Sequence, residues 1–198
     1  RPSPGVVASL DSLASRWPPA RFPLAEAQFY TGAIDSALAN YTRVSSDPTH
    51  PSAGAAFERL YLIEEAPTSP VLRVLGRIEW ERWRGQPARA RTLADSLYRA
   101  TPLAGPLGAR VALELAELRF EADDARGALA PLLAVADSLP EGRLAPRARQ
   151  RAGDAYMALG DAAKALAQYE ECLARYPKAW NAPEVRRRVE QLRKARRS

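Results

Sequence analysis

Hydrophobic residues along this chain recur at intervals of three and four, with polar residues between them. That is the period of an amphipathic helix, not the alternation of a half-buried strand. Ala90, Ala94 and Leu97 show it in mid-chain, and Val185, Val189 and Leu192 show it near the end. Proline and glycine interrupt the pattern often, and these interruptions set the element boundaries. The spacing predicts helices over 5–16, 23–31, 33–45, 53–65, 71–84, 87–100, 106–121, 125–139, 145–159, 162–176 and 181–195. The connections are short, among them "GQP", "GD" and "PKAWNAP". Short connections make successive helices antiparallel neighbours. No stretch carries a strand pattern, so the expected class is all-α.

One stretch, "RAGDAYMALGDAAKALAQYEECLARYP" (151–177), sets out a helix pair in detail. Gly153 and Ala165 are small enough for two helices to approach closely. Tyr156 and Tyr169 fill the space between the helices, and Cys172 sits at a small packing position. Gly160 ends the first helix, where a left-handed residue is needed. Asp161 caps the second helix and Pro177 stops it. The spacing recurs upstream. Ala128, Leu132, Val135 and Pro140 repeat Ala165, Tyr169, Cys172 and Pro177 at a displacement of 37. Gly85, Ala90, Ala94, Leu97 and Pro102 repeat it again, after a helix about two residues too long. Gly32, Ala37, Tyr41 and Val44 form a fainter copy. The helix in "SAGAAFERLYLIEEAP" is either half of a divergent copy or an insertion.

The stretch from Pro146 to Ala179 resembles the tetratricopeptide repeat (TPR), a helix–turn–helix unit of 34 residues. Arg149 stands where that family has a large apolar residue, and Ala152 is small for its position, so a looser contact with the preceding repeat is expected. The resemblance implies a right-handed α-solenoid of antiparallel helix pairs with about eleven helices; an irregular helical bundle holding one repeat-like hairpin is the alternative. The expected organisation is an N-terminal segment with a short helix (1–22), divergent repeat-like helices (23–66), TPR-like repeats (67–179, clearest over 146–179) and a basic capping helix (180–198). The run "CLARYPKAWNAPEVRRRVEQLRK" also resembles repeats of bacterial envelope TPR proteins of the outer-membrane-assembly lipoprotein and cell-division-coordinator kind. It implies a periplasmic or membrane-peripheral location, with the cytoplasm as the alternative.

Composition narrows the function classes. Of 198 residues, 46% are hydrophobic and 26% charged, which excludes the disordered class. No apolar run approaches the length of a membrane-spanning helix. The opening "RPSPG" suits a flexible segment following a removed leader. The net charge of +6 is uneven. Arg186, Arg187, Arg188, Arg193, Lys194, Arg196 and Arg197 face only Glu184 and Glu190 at the C-terminal end, where the reading is a solvated cap. Contact with an anionic membrane surface is the second reading there, and nucleic acid the third.

Candidate chemistry is sparse. His50, the single histidine, lies in the turn-rich "SDPTHPSAG" and reads as a solvated loop residue. Cys172, the single cysteine, reads as a buried small hydrophobe. Glu64–Glu65, Asp123–Asp124 and Glu170–Glu171 are adjacent in sequence and so point in different directions on a helix, which makes them poor acid–base pairs; Asp123–Asp124 suits a helix cap. No phosphate loop or metal-ligand spacing is present, and no cofactor is expected.

Binding residues are better marked. Trp80 and Trp83 are three apart, hence on one helix face, with Arg77, Arg82 and Arg84 beside them. They read as core packing or as a Trp/Arg anchor for a partner. The TPR resemblance implies a groove lined by Arg147, Gln150, Asp154, Met157 and Ala158, and in the preceding copy by Arg110, Leu113, Glu117, Phe120 and Glu121. The expected function is therefore a non-catalytic scaffold that binds other proteins, as an accessory or assembly subunit of a membrane complex. An enzyme or sensor domain using the groove is the alternative.

Overall fold

The computed structural model describes residues 1–195, so Arg196 and Arg197 of the basic end lie outside the described residues. Among those described there are eleven α-helices and no strand. They are α1 (Pro4–Ala14), α2 (Arg21–Thr31), α3 (Ile34–Ser45), α4 (Ala53–Glu64), α5 (Pro70–Trp83), α6 (Pro87–Ala100), α7 (Gly105–Phe120), α8 (Ala125–Ser138), α9 (Ala145–Ala158), α10 (Ala162–Arg175) and α11 (Ala182–Ala195). Every one lies within two residues of its predicted span. Proline opens several of them, where its missing N–H costs nothing: Pro4, Pro70 and Pro146 stand at the first or second position of α1, α5 and α9.

The chain forms two compact units, Arg1–Leu97 and a second from Tyr98 onward. In the first, α2 packs on α1, α3 and α5, and α4 packs on α3. Leu24, Phe29, Tyr41, Ile63, Leu72, Leu75 and Ile78 are fully buried there. In the second, α7 to α11 pack in sequence, each on the next. Leu132, Val135 and Ala136 of α8 lie among Ala109, Ala112 and Ala116 of α7 and Ala148 and Ala152 of α9. Alanines on both neighbours let the helices come close. Ala165, Tyr169 and Cys172 of α10 then pack on Val185 and Val189 of α11, with Tyr156 at the edge.

The turns carry the repeat. Gly32, Gly85 and Gly160 have φ of 85°, 74° and 77°. The fourth such turn uses Asp123, at φ 57°, which is 37 residues before Gly160 and takes its place in the preceding copy. Aspartate tolerates that conformation because its short side chain bonds locally. The caps repeat as well. Asp124 accepts from the Gly127 N–H at 2.8 Å, and Asp161 accepts from the Lys164 N–H at 3.0 Å.

Two expectations are corrected. Arg149 does not loosen the α8–α9 contact. It is 2% exposed, and its guanidinium donates to the Ala136 carbonyl (3.2 Å) and Asp137 (2.8 Å) at the end of α8 and to Gln168 (3.1 Å) on α10. A cation beside the carbonyls that end a helix is favourably placed. His50 is not solvated. It is 8% exposed, and its Nδ1 accepts from the Ser52 N–H at 3.0 Å inside the α3–α4 connection.

Candidate functional site

Two clusters gather polar and aromatic side chains, one in each unit. In the first unit, Arg59 of α4 reaches both Glu26 of α2 and Glu79 of α5. Its Nε and Nη2 donate to the two Glu26 oxygens at 2.9 and 2.8 Å. Its Nη1 and Nη2 donate to Glu79 at 2.9 and 2.5 Å. Glu26 also accepts the Tyr41 hydroxyl (2.5 Å) and the Tyr30 hydroxyl (2.8 Å). Burial works against the Arg59 charge, but Glu79 and Glu26 overcome it and hold the guanidinium protonated well above its ordinary range. Burial, with Glu26 alongside, pushes the Tyr30 hydroxyl up. The cluster clamps four helices, α2, α3, α4 and α5. The pairing was not predicted, because its members lie 20 and 33 residues apart in sequence.

Next to it, Tyr30 packs against Trp80 at 6.1 Å between ring centroids, and Trp80 stacks on Trp83 at 4.9 Å and 20°. Trp80 is half-buried, whereas Trp83 is 71% exposed. The core-packing reading thus describes Trp80 in part and Trp83 not at all. Arg77 and Arg84 are exposed beside them.

In the second unit, the predicted groove residues divide. Glu117, Phe120, Arg147 and Asp154 come together. Glu117 accepts from Arg147 at 3.2 Å and from Arg151, whose guanidinium lies 4.1 Å from the centre of the Phe120 ring. Asp154 accepts from the Tyr169 hydroxyl (2.7 Å), from Arg151 (3.1 Å) and from Arg188 of α11. Arg151 and Arg188 were not predicted as groove residues, and both neutralise its carboxylates. Gln150 accepts from the Asn181 amide at 2.8 Å, Arg110 pairs with Glu114 at 3.3 Å, and Met157 is 41% exposed. This face is closed upon itself, since its carboxylates already hold the guanidiniums that an anionic ligand would need.

The remaining packing residues hold the α9–α10 pair. Tyr169 is 2% exposed and lies over Gly153. Burial raises the Cys172 thiol to about 11, and the thiol donates to the Pro146 carbonyl at 3.5 Å. A thiol so placed is a poor nucleophile. Among the described residues no group of histidine, cysteine and carboxylates suits a metal ion. Trp180, 74% exposed in the turn before α11, was not singled out by its pattern.

This geometry has relatives. Residues 147–179 match the tetratricopeptide repeat family model. The solved structure of a mutant of MamA aligns over 88% of this chain and 85% of its own, with 18% identity and a TM-score of 0.53. At that identity the likeness is one of fold, and the chain has a TPR-like all-α fold of helix pairs. TTC0263, a thermophilic TPR protein in Thermus thermophilus, aligns over 94% of this chain and 88% of its own, with 20% identity and a TM-score of 0.44. No curated protein matches the chain significantly.

Proposed function

We propose that this protein is a non-catalytic interaction module that holds another protein, as an accessory or assembly subunit of a larger complex at a bacterial membrane or envelope. The observation that carries the reading is Trp83, an exposed indole fixed in a stack on Trp80. A large aromatic surface ordered in advance loses little entropy on binding, and tryptophan and arginine dominate interface hot spots. The TPR-like fold supports a partner-holding role, and the "YPKAWNAPE" motif supports the envelope location. The C-terminal helix offers a second, weaker surface. Arg186, Arg187, Arg193 and Lys194 are exposed there, though Glu184 engages Arg187 and Glu170 engages Arg193 at 2.7 Å. Its role is that of a polar cap which also sits well against anionic headgroups.

Capture from native membrane extracts tests the reading. The wild-type protein is expected to retain a discrete set of proteins, and Trp83→Ala is expected to lose them. The truncation should weaken the contact by about 2 kcal/mol or more, near 30-fold in Kd. Equal recovery by both proteins would overturn the assignment of Trp83.

A further inference from the structure

The outward stripe of α5 carries charge of one sign. Arg73, Arg77, Trp80 and Arg84 follow one another at intervals of four, three and four residues, which places them on one helix face. The three arginines are exposed. Both carboxylates of the helix are buried instead: Glu79 is held by Arg59, and Glu81 lies 4.0 Å from Arg84. Among the described residues neither Arg73 nor Arg77 has an ion-pair partner; the Arg73 stem lies over the Gly32 turn. Like charges four apart oppose helix formation, and these two are not offset within their own unit. Beside them stand the Trp80–Trp83 stack and Tyr30.

We infer that this stripe docks an acidic polypeptide segment, with carboxylates on Arg73 and Arg77 and an apolar or aromatic side chain laid against Trp83. The inference rests on the protein-holding function proposed above and gives that partner its chemistry. The stripe from Arg73 to Arg84 spans about 16 Å of helix, which about five residues of extended chain cover. A short segment is favoured over a polyanion. Apart from Arg73, Arg77 and Arg84, the unit Arg1–Leu97 carries eight arginines against ten carboxylates, so an anionic strand or lipid surface reaching beyond the stripe gains no further net attraction, whereas a short peptide meets the stripe alone.

Titration with a fluorescein-labelled peptide of alternating glutamates around a central phenylalanine tests this. The reference probes are its glutamine counterpart, an oligothymidylate and phosphatidylglycerol vesicles. The acidic peptide is expected to bind and to shift the tryptophan emission. Raising salt from about 50 to about 300 mM should weaken it severalfold. Arg73→Gln/Arg77→Gln, checked by circular dichroism for an unchanged melt, should weaken it about tenfold. Peptide binding indifferent to that double variant, or equal binding of the glutamine peptide, would overturn the inference. So would tighter, arginine-dependent binding of the oligothymidylate or the vesicles. If capture from extracts is lost in Trp83→Ala yet kept in the arginine variant, the protein-holding function stands and the acidic partner falls.

Discussion

A β-carbon on Gly76 would sit 2.4 Å from the Phe29 carbonyl oxygen of α2. Backbone cannot step aside, so Gly76→Ala must separate α2 from α5, at a cost of about 1–3 kcal/mol. The midpoint of thermal unfolding should fall by several degrees. Gly153→Ala meets the Tyr169 ring at 2.3 Å, where the ring is buried and anchored by its hydroxyl to Asp154; a similar loss is expected. Gly54, inside α4 with open space around it, is the control: alanine there should be neutral or slightly stabilising. At Cys172, burial leaves almost no thiolate near neutral pH. Iodoacetamide at pH 8 should leave the native thiol unmodified and label it rapidly in denaturant. Fast labelling of the folded protein would show that the α10–α11 packing opens.

Helix α8 contains Pro131, which has no N–H to give to the Gly127 carbonyl one turn back. Arg119 of α7 makes up the loss, donating its Nη1 to that carbonyl at 2.5 Å. Arg119→Ala should therefore cost about 1.5–3 kcal/mol. In a Pro131→Ala background residue 131 again donates to Gly127, and the cost of Arg119→Ala should drop by about half or more; additive losses in this cycle would reject the compensation. Arg59 plays a comparable part among α2, α4 and α5. Replacing it with methionine leaves Glu26 and Glu79 facing each other without a cation, which should cost about 3–5 kcal/mol at pH 7. The helices themselves were legible because proline and glycine punctuate them, and the α9–α10 pair was legible down to Gly153 and Tyr169. Arg59, Arg119 and Arg149 were not. Each owes its role to a partner on another helix, and a charged residue within a helical pattern looks the same whether it faces water or an orphaned carbonyl.

Across the whole molecule, ion pairs that hold the fold are distinct from charges left for something else. The α9 face of the second unit satisfies Glu117 and Asp154 with Arg147, Arg151 and Arg188, whereas α5 of the first unit turns its carboxylates inward and its arginines and Trp83 outward. Stability and partner binding should accordingly respond to different substitutions. Glu117→Gln removes a charge that two guanidiniums share, so unfolding should come a few degrees earlier while retention of the captured proteins stays unchanged. Trp83→Ala removes a largely exposed side chain whose ring stacks on Trp80, so unfolding should shift by less than about 2 °C while retention is lost. Thermal melts and capture on the same four proteins, wild type, both single variants and the double variant, read the two effects side by side. Loss of retention in Glu117→Gln at a temperature where it is fully folded would move the docking site to α9. Loss in Trp83→Ala alone leaves it on α5, where an exposed indole stack and one-signed charge coincide.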